Sequence, residues 1–73
     1  ITIRFNIPVE SLRPTSLQIF NITGRLIEEL VNGELAVGEY EIVWNANNHP
    51  SGVYFVRLES GEFVENQKVV LLK

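Results

Sequence analysis

The sequence predicts an immunoglobulin-like antiparallel β-sandwich of about six to seven short strands, on three observations. Apolar and polar residues alternate at period two, as in Ile1, Ile3, Phe5 and Ile7 and again in Tyr40, Ile42 and Trp44. Turn-forming residues break these runs about every 8–12 positions. The one segment with helical spacing is only two turns long, too short to hold a helix by itself.

The elements follow in order. Ile1 to Ile7 is a half-buried strand, closed by Pro8, which cannot donate a ladder hydrogen bond. Residues Pro8 to Pro14 are expected to form a connection. Leu17 and Ile19 then alternate with Ser16 and Gln18 in a strand that runs into Phe20. Asn21-Ile22-Thr23-Gly24-Arg25 is the first tight turn, with Gly24 supplying positive φ. Between Arg25 and Val31 the residues Leu26, Ile27, Leu30 and Val31 fit a helix stopped by Gly33, but the surrounding strands favour a strand here too. Asn32-Gly33 and Val37-Gly38 are expected to bracket a loop. Tyr40, Ile42 and Trp44 alternate with Glu39, Glu41 and Asn45, and residues Ala46 to Gly52 make a polar loop of turn formers. Two closing strands follow. In the first, Tyr54, Val56 and Leu58 oppose Val53, Phe55 and Arg57; the second ends with Lys68-Val69-Val70-Leu71-Leu72-Lys73.

Composition narrows the function. Seventy-three residues make a single small domain, residues 1–73. Such a chain buries only about 60% of its unfolded surface, so its core supplies about 3–5 kcal/mol. Small domains often add disulfides or a metal. With no cysteine and one histidine, neither is expected, and no cofactor is expected either. A net charge of −3, with scattered lysines and arginines, argues against nucleic acid and against anionic lipid. No apolar run is long enough to span a bilayer. The chain opens on Ile1, inside a strand pattern and with no initiator Met, so it is expected to be a piece of a longer protein.

No catalytic constellation is legible. His49, between Asn48 and Pro50, reads as a solvated loop residue rather than a general base. Glu28 and Glu29 are adjacent on a strand and point to opposite faces. Glu39 and Glu41 share the face opposite Trp44, where solvated acids are the default. Trp44 itself falls in register with Tyr40 and Ile42, which makes it core rather than a sugar platform. Val53 and Phe55 face outward beside Arg57, either as a docking strip or beneath the Pro8–Pro14 connection. Asn21-Ile22-Thr23 fits a glycosylation acceptor but reads as turn chemistry. Lys68 shares a face with Val70 and Leu72, where it guards a sheet edge or snorkels to the rim.

An ordered set of motifs spans the chain. It runs through Thr2-Ile3-Arg4-Phe5 and a following proline, Leu17-Gln18-Ile19-Phe20-Asn21-Ile22-Thr23-Gly24-Arg25, and Leu30-Val31-Asn32-Gly33. It continues through Gly38 before Tyr40-Glu41-Ile42-Val43-Trp44, then Pro50-Ser51-Gly52-Val53-Tyr54-Phe55, and closes on Lys68 and Lys73. Together these resemble the type A C-terminal sorting domain of cargo proteins of the bacterial type IX secretion system. They are also similar to the immunoglobulin-like domain of the flagellar hook-capping protein. Asn21 stands where the former family often has Asp, and either residue can cap the turn.

The resemblance implies a non-enzymatic sorting signal, covalently linked to an upstream cargo. It implies an outer-membrane secretion translocon and a cell-surface sortase-like peptidase as partners, and a secreted or cell-surface location reached through the periplasm of a Gram-negative-type bacterium. Under it, receptor recognition is expected at Gly24, Arg25, Gly52, Tyr54, Lys68, Val70, Leu72 and Lys73. Two other functions compete: a structural spacer or assembly module like the hook-capping domain, and a carbohydrate-binding accessory domain of a secreted glycosidase. The latter requires Trp44 or Phe55 to be exposed.

Overall fold

A computed structural model of the chain describes residues 1–8 and 13–72, the side chain of Arg13 excepted. Six strands occur among them: β1 (Thr2–Ile7), β2 (Arg13–Phe20), β3 (Leu26–Leu35), β4 (Gly38–Val43), β5 (Gly52–Ser60) and β6 (Phe63–Leu71). All pairings are antiparallel. β1 and β4 form a two-stranded sheet, and the other four make a sheet in the order β3-β2-β5-β6. The two sheets stack as the expected β-sandwich.

The period-two patterns decide which side chains meet between the sheets. Ile3, Phe5 and Ile7 of β1 are buried against Leu17 and Ile19 of β2, Tyr54, Val56 and Leu58 of β5, and Leu71 of β6. Trp44 and Ala46, just beyond β4, complete this core. Thr15 and Ser60 are the buried polar residues among the described ones, and their hydroxyls bond to each other at 3.0 Å across β2 and β5. A buried hydroxyl without such a partner is costly, so this pairing lets the core close on polar atoms.

β3 explains the helical spacing in its sequence. Its register against β2 shifts between Leu17 and Gln18 and again between Ile19 and Phe20, leaving Leu30 and Ile27 as the extra residues. Each β-bulge sets two residues of one strand against one of its partner. Neighbours Leu30 and Val31 are therefore both half-buried, as are Ile27 and Glu28. Two bulges three residues apart imitate a helical repeat.

Two boundaries differ from expectation. β2 begins at Arg13, so Arg13 and Pro14 belong to the strand rather than the connection, and Pro14 lies opposite Glu34. The rest of that predicted connection, residues 9–12, lies outside the described residues. Asn32 and Gly33 do not open a loop: they sit inside β3, opposite Ser16 and Thr15. The neighbouring strand supplies a pairing that local turn preference could not outweigh, and only Ala36 and Val37 remain between β3 and β4.

The turns follow their chemistry. The Asn21 side-chain oxygen accepts from the Thr23 amide, the Thr23 hydroxyl and the Arg25 amide, at 3.1, 2.7 and 2.9 Å. Gly24 adopts φ +85° and has open space where a Cβ would project. Gly24→Ala therefore meets no clash, and its cost is the backbone term alone, about 1–2 kcal/mol. A urea unfolding midpoint that does not fall would contradict this. Between β5 and β6, Gly61 has φ +61° while Glu62 has no positive φ, which matches a two-residue type II′ hairpin.

Candidate functional site

The outward side chains of the four-stranded sheet lie in cross-strand rows. Leu26 of β3, Phe20 of β2, Phe55 of β5 and Lys68 of β6 form one row through consecutive pairings. Toward the β6 terminus, Val53 faces Val70 in the next outward row. In the other direction come Glu29, Gln18, Arg57 and Asn66. Phe55 is 39% exposed, Val70 53% and Leu72, just past β6, 84%. The β2–β3 turn stands at this same end of the sheet, with Ile22 exposed.

The structure therefore gathers most of the predicted recognition residues at one end. Gly24 and Arg25 lie in the turn, exposed. Gly52 opens β5 opposite Leu71, and Lys68 and Val70 stand exposed on β6 opposite Phe55 and Val53. Tyr54 points the other way, into the core, and Lys73 lies outside the described residues. Among the described residues β6 pairs only with β5, which leaves it at the edge of the sheet. Sequence reasoning missed Phe20, Leu26 and Ile22. Phe20 could have been found, because it continues the Ser16–Gln18 face, opposite to Leu17 and Ile19. Leu26 could not, since a bulge decides its side.

Tyr54 fastens the start of β5. Its hydroxyl donates to the Pro50 carbonyl at 2.6 Å, four residues upstream. Tyr40 does the same to Ala36 at 2.7 Å at the start of β4. At each corner the hydroxyl ties down the incoming loop; the Tyr54 ring fills the core, whereas the half-buried Tyr40 ring stacks on Phe5 at its margin. Tyr54→Phe keeps the ring and loses only that bond, so chemical denaturation is expected to show a loss of about 1 kcal/mol.

His49 departs from expectation. It is half-buried, its ring 5.6 Å from that of Trp44 and 6.3 Å from that of Tyr54. Its Nε2 lies 4.0 Å from Glu28 Oε2, while Glu28 accepts from the Trp44 indole N–H. The loop folds over the tryptophan, which turns an apparently solvated histidine into part of its cover. Glu29 bonds instead to Gln18, so the two adjacent acids diverge. Trp44 has no exposed surface and offers no sugar platform. An open groove of about 700 Å³ runs beside the small sheet, where Arg4 pairs with Glu41 and Glu39 and Glu65 face solvent.

With this geometry in view, the comparison with known families is decisive. The secretion system C-terminal sorting domain matches residues 1–72. The chain belongs to this family. No curated protein and no solved structure matches it. Membership makes the chain a C-terminal sorting signal for type IX secretion, a domain attached to a cargo and recognised by that system. The cargo of such a sorting domain is secreted or held at the cell surface. Among the described residues of this sorting domain, no helix is long and apolar enough to cross a membrane.

Proposed function

We propose that this sorting domain is a non-catalytic signal that takes a covalently linked cargo through the outer-membrane translocon by presenting a folded shape. Its last strand is the main determinant. A cell-surface sortase-like peptidase then removes the domain and attaches the cargo to lipopolysaccharide. The observation that carries this reading is the placement of β6. The strand closes the four-stranded sheet and sends Leu71 into the core, while its other face and free edge stay open to a receptor. A receptor strand could add to that edge by backbone pairing, with the alternating side chains conferring specificity.

The test is a reporter fused to residues 1–73 in a type IX-competent strain. The expected result is reporter at the cell surface in a lipopolysaccharide-linked form, visible as a mass ladder. Reporter retained in the periplasm would refute the sorting role, and exported reporter without the ladder would refute the anchoring step alone. Of the competing functions, carbohydrate binding loses Trp44, whose ring is completely buried, and keeps only Phe55, 39% exposed, as a stacking surface.

A further inference from the structure

We propose that the outer face of the four-stranded sheet, at the end shared by the β2–β3 turn and the close of β6, docks an apolar, carboxylate-bearing segment of a partner protein. This rests on the sorting function and names the chemistry the receptor would bring.

The apolar part comes from register. Leu26, Phe20 and Phe55 lie side by side on three strands, with Val53 and Val70 in the adjoining outward row. Leu26, Phe55 and Val70 are each at least 39% exposed. Scattered surface apolar residues need no explanation, whereas a contiguous set marks an interaction site. An exposed sheet face of this kind suits an extended segment or loop.

The carboxylate comes from charge. Four basic side chains are described: Arg4 pairs with Glu41 and Arg57 with Glu59, whereas Arg25 and Lys68 form no ion pair among the described residues. Lys68 ends the row of Leu26, Phe20 and Phe55, and Arg25 stands exposed in the turn that enters β3 next to Leu26. Glu34, Glu59 and Glu62 lie toward the opposite end, with Glu34 opposite Pro14, Glu59 opposite Ser16 and Glu62 in the β5–β6 hairpin. Glu28, opposite Ile19, is turned to the core side and engaged by Trp44. The nearest acid on the same face is Glu29, one outward row away and already engaged by Gln18. A chain of net charge −3 thus presents two outward apolar rows with no acid in them and two cations without an ion pair at that end. Complementarity there favours a carboxylate and excludes a basic partner. Two cations contribute only about 1 kcal/mol each toward an anionic bilayer, too little to favour lipid over protein.

The experiment uses the exporting reporter fusion, with the photocrosslinker p-benzoylphenylalanine placed at Phe55, at Val70 and, as control, at Val43 on the small sheet. Crosslinks from positions 55 and 70, absent at 43, are expected to map to a carboxylate-bearing loop of one outer-membrane protein. Lys68→Glu and Arg25→Glu should each lower export about tenfold, as loss of a rim ion pair implies. Lys68→Arg should leave export unchanged, and all three variants should keep the wild-type unfolding midpoint. Export at the wild-type level in both charge-reversal variants overturns the proposal, as do crosslinks to lipid or to a second copy of the chain. If the unsubstituted fusion is itself not exported, the sorting function fails and the docking proposal falls with it.

Discussion

Trp44→Ala is expected to unfold the domain at 25 °C. The indole has no exposed surface, meets the Tyr54 ring edge-on at 5.2 Å and lies beneath His49. Removing a buried tryptophan costs about 3–5 kcal/mol, from lost transfer energy and from the cavity it leaves. A domain of this size has about 3–5 kcal/mol to lose, with no disulfide in reserve. Glu28 would lose its indole donor in the same step. Circular dichroism should show no cooperative thermal transition, and a reporter carrying the variant should remain in the periplasm. A folded Trp44→Ala domain would mean that the core is held by something other than the packing described.

Export should likewise collapse when Val69–Lys73 is removed, and single substitutions separate the two reasons it could. Leu71 is only 6% exposed, so Leu71→Ala costs about 2–5 kcal/mol and strips the final pairing, Gly52 with Leu71, of its buried side chain. It should abolish both the unfolding transition and export. Leu72 is 84% exposed, and truncating it removes almost no burial. On the proposal that the last strand is the main determinant, Leu72→Ala should leave the unfolding midpoint unchanged while lowering export. Unaltered export in a folded Val69–Lys73 deletion would sink the terminal-strand determinant. Unaltered export in Leu72→Ala would shift recognition from the end of the chain to the sandwich it completes.

Several features were open to reading from the residues because their causes are local. Gly24 follows an Asn-initiated turn, and the structure gives it positive φ there. Tyr40, Ile42 and Trp44 alternate against Glu39 and Glu41, and their inward side was legible from that alternation alone. β3 was harder, because its bulges exist only in relation to β2. The same dependence hid Asn32 and Gly33, a pair whose turn preference is outweighed by Ser16 and Thr15 across the ladder. His49 was misread for a related reason. Its neighbours in sequence are polar, but its neighbours in space are Trp44, Tyr54 and Glu28. The candidate surface was half legible: the outward turn of Val53 and Phe55 follows from alternation, whereas their union with Phe20 and Leu26 needed strand order.

By itself the sequence determined the all-β class, the inward or outward side of every regularly alternating residue, the resemblance to a sorting domain and the lack of a visible catalytic set. These rest on covalent neighbours, where a two-residue repeat and a turn's φ are set within a few positions. Only the tertiary structure decided that β2 lies between β3 and β5, that β6 is left at an edge, and that Lys68 and apolar residues distant in sequence share one end of one face. The physical reason is that pairing between strands is non-local. Which edge meets which depends on the free energy of the whole core, and the outer face is a by-product of how that core closes.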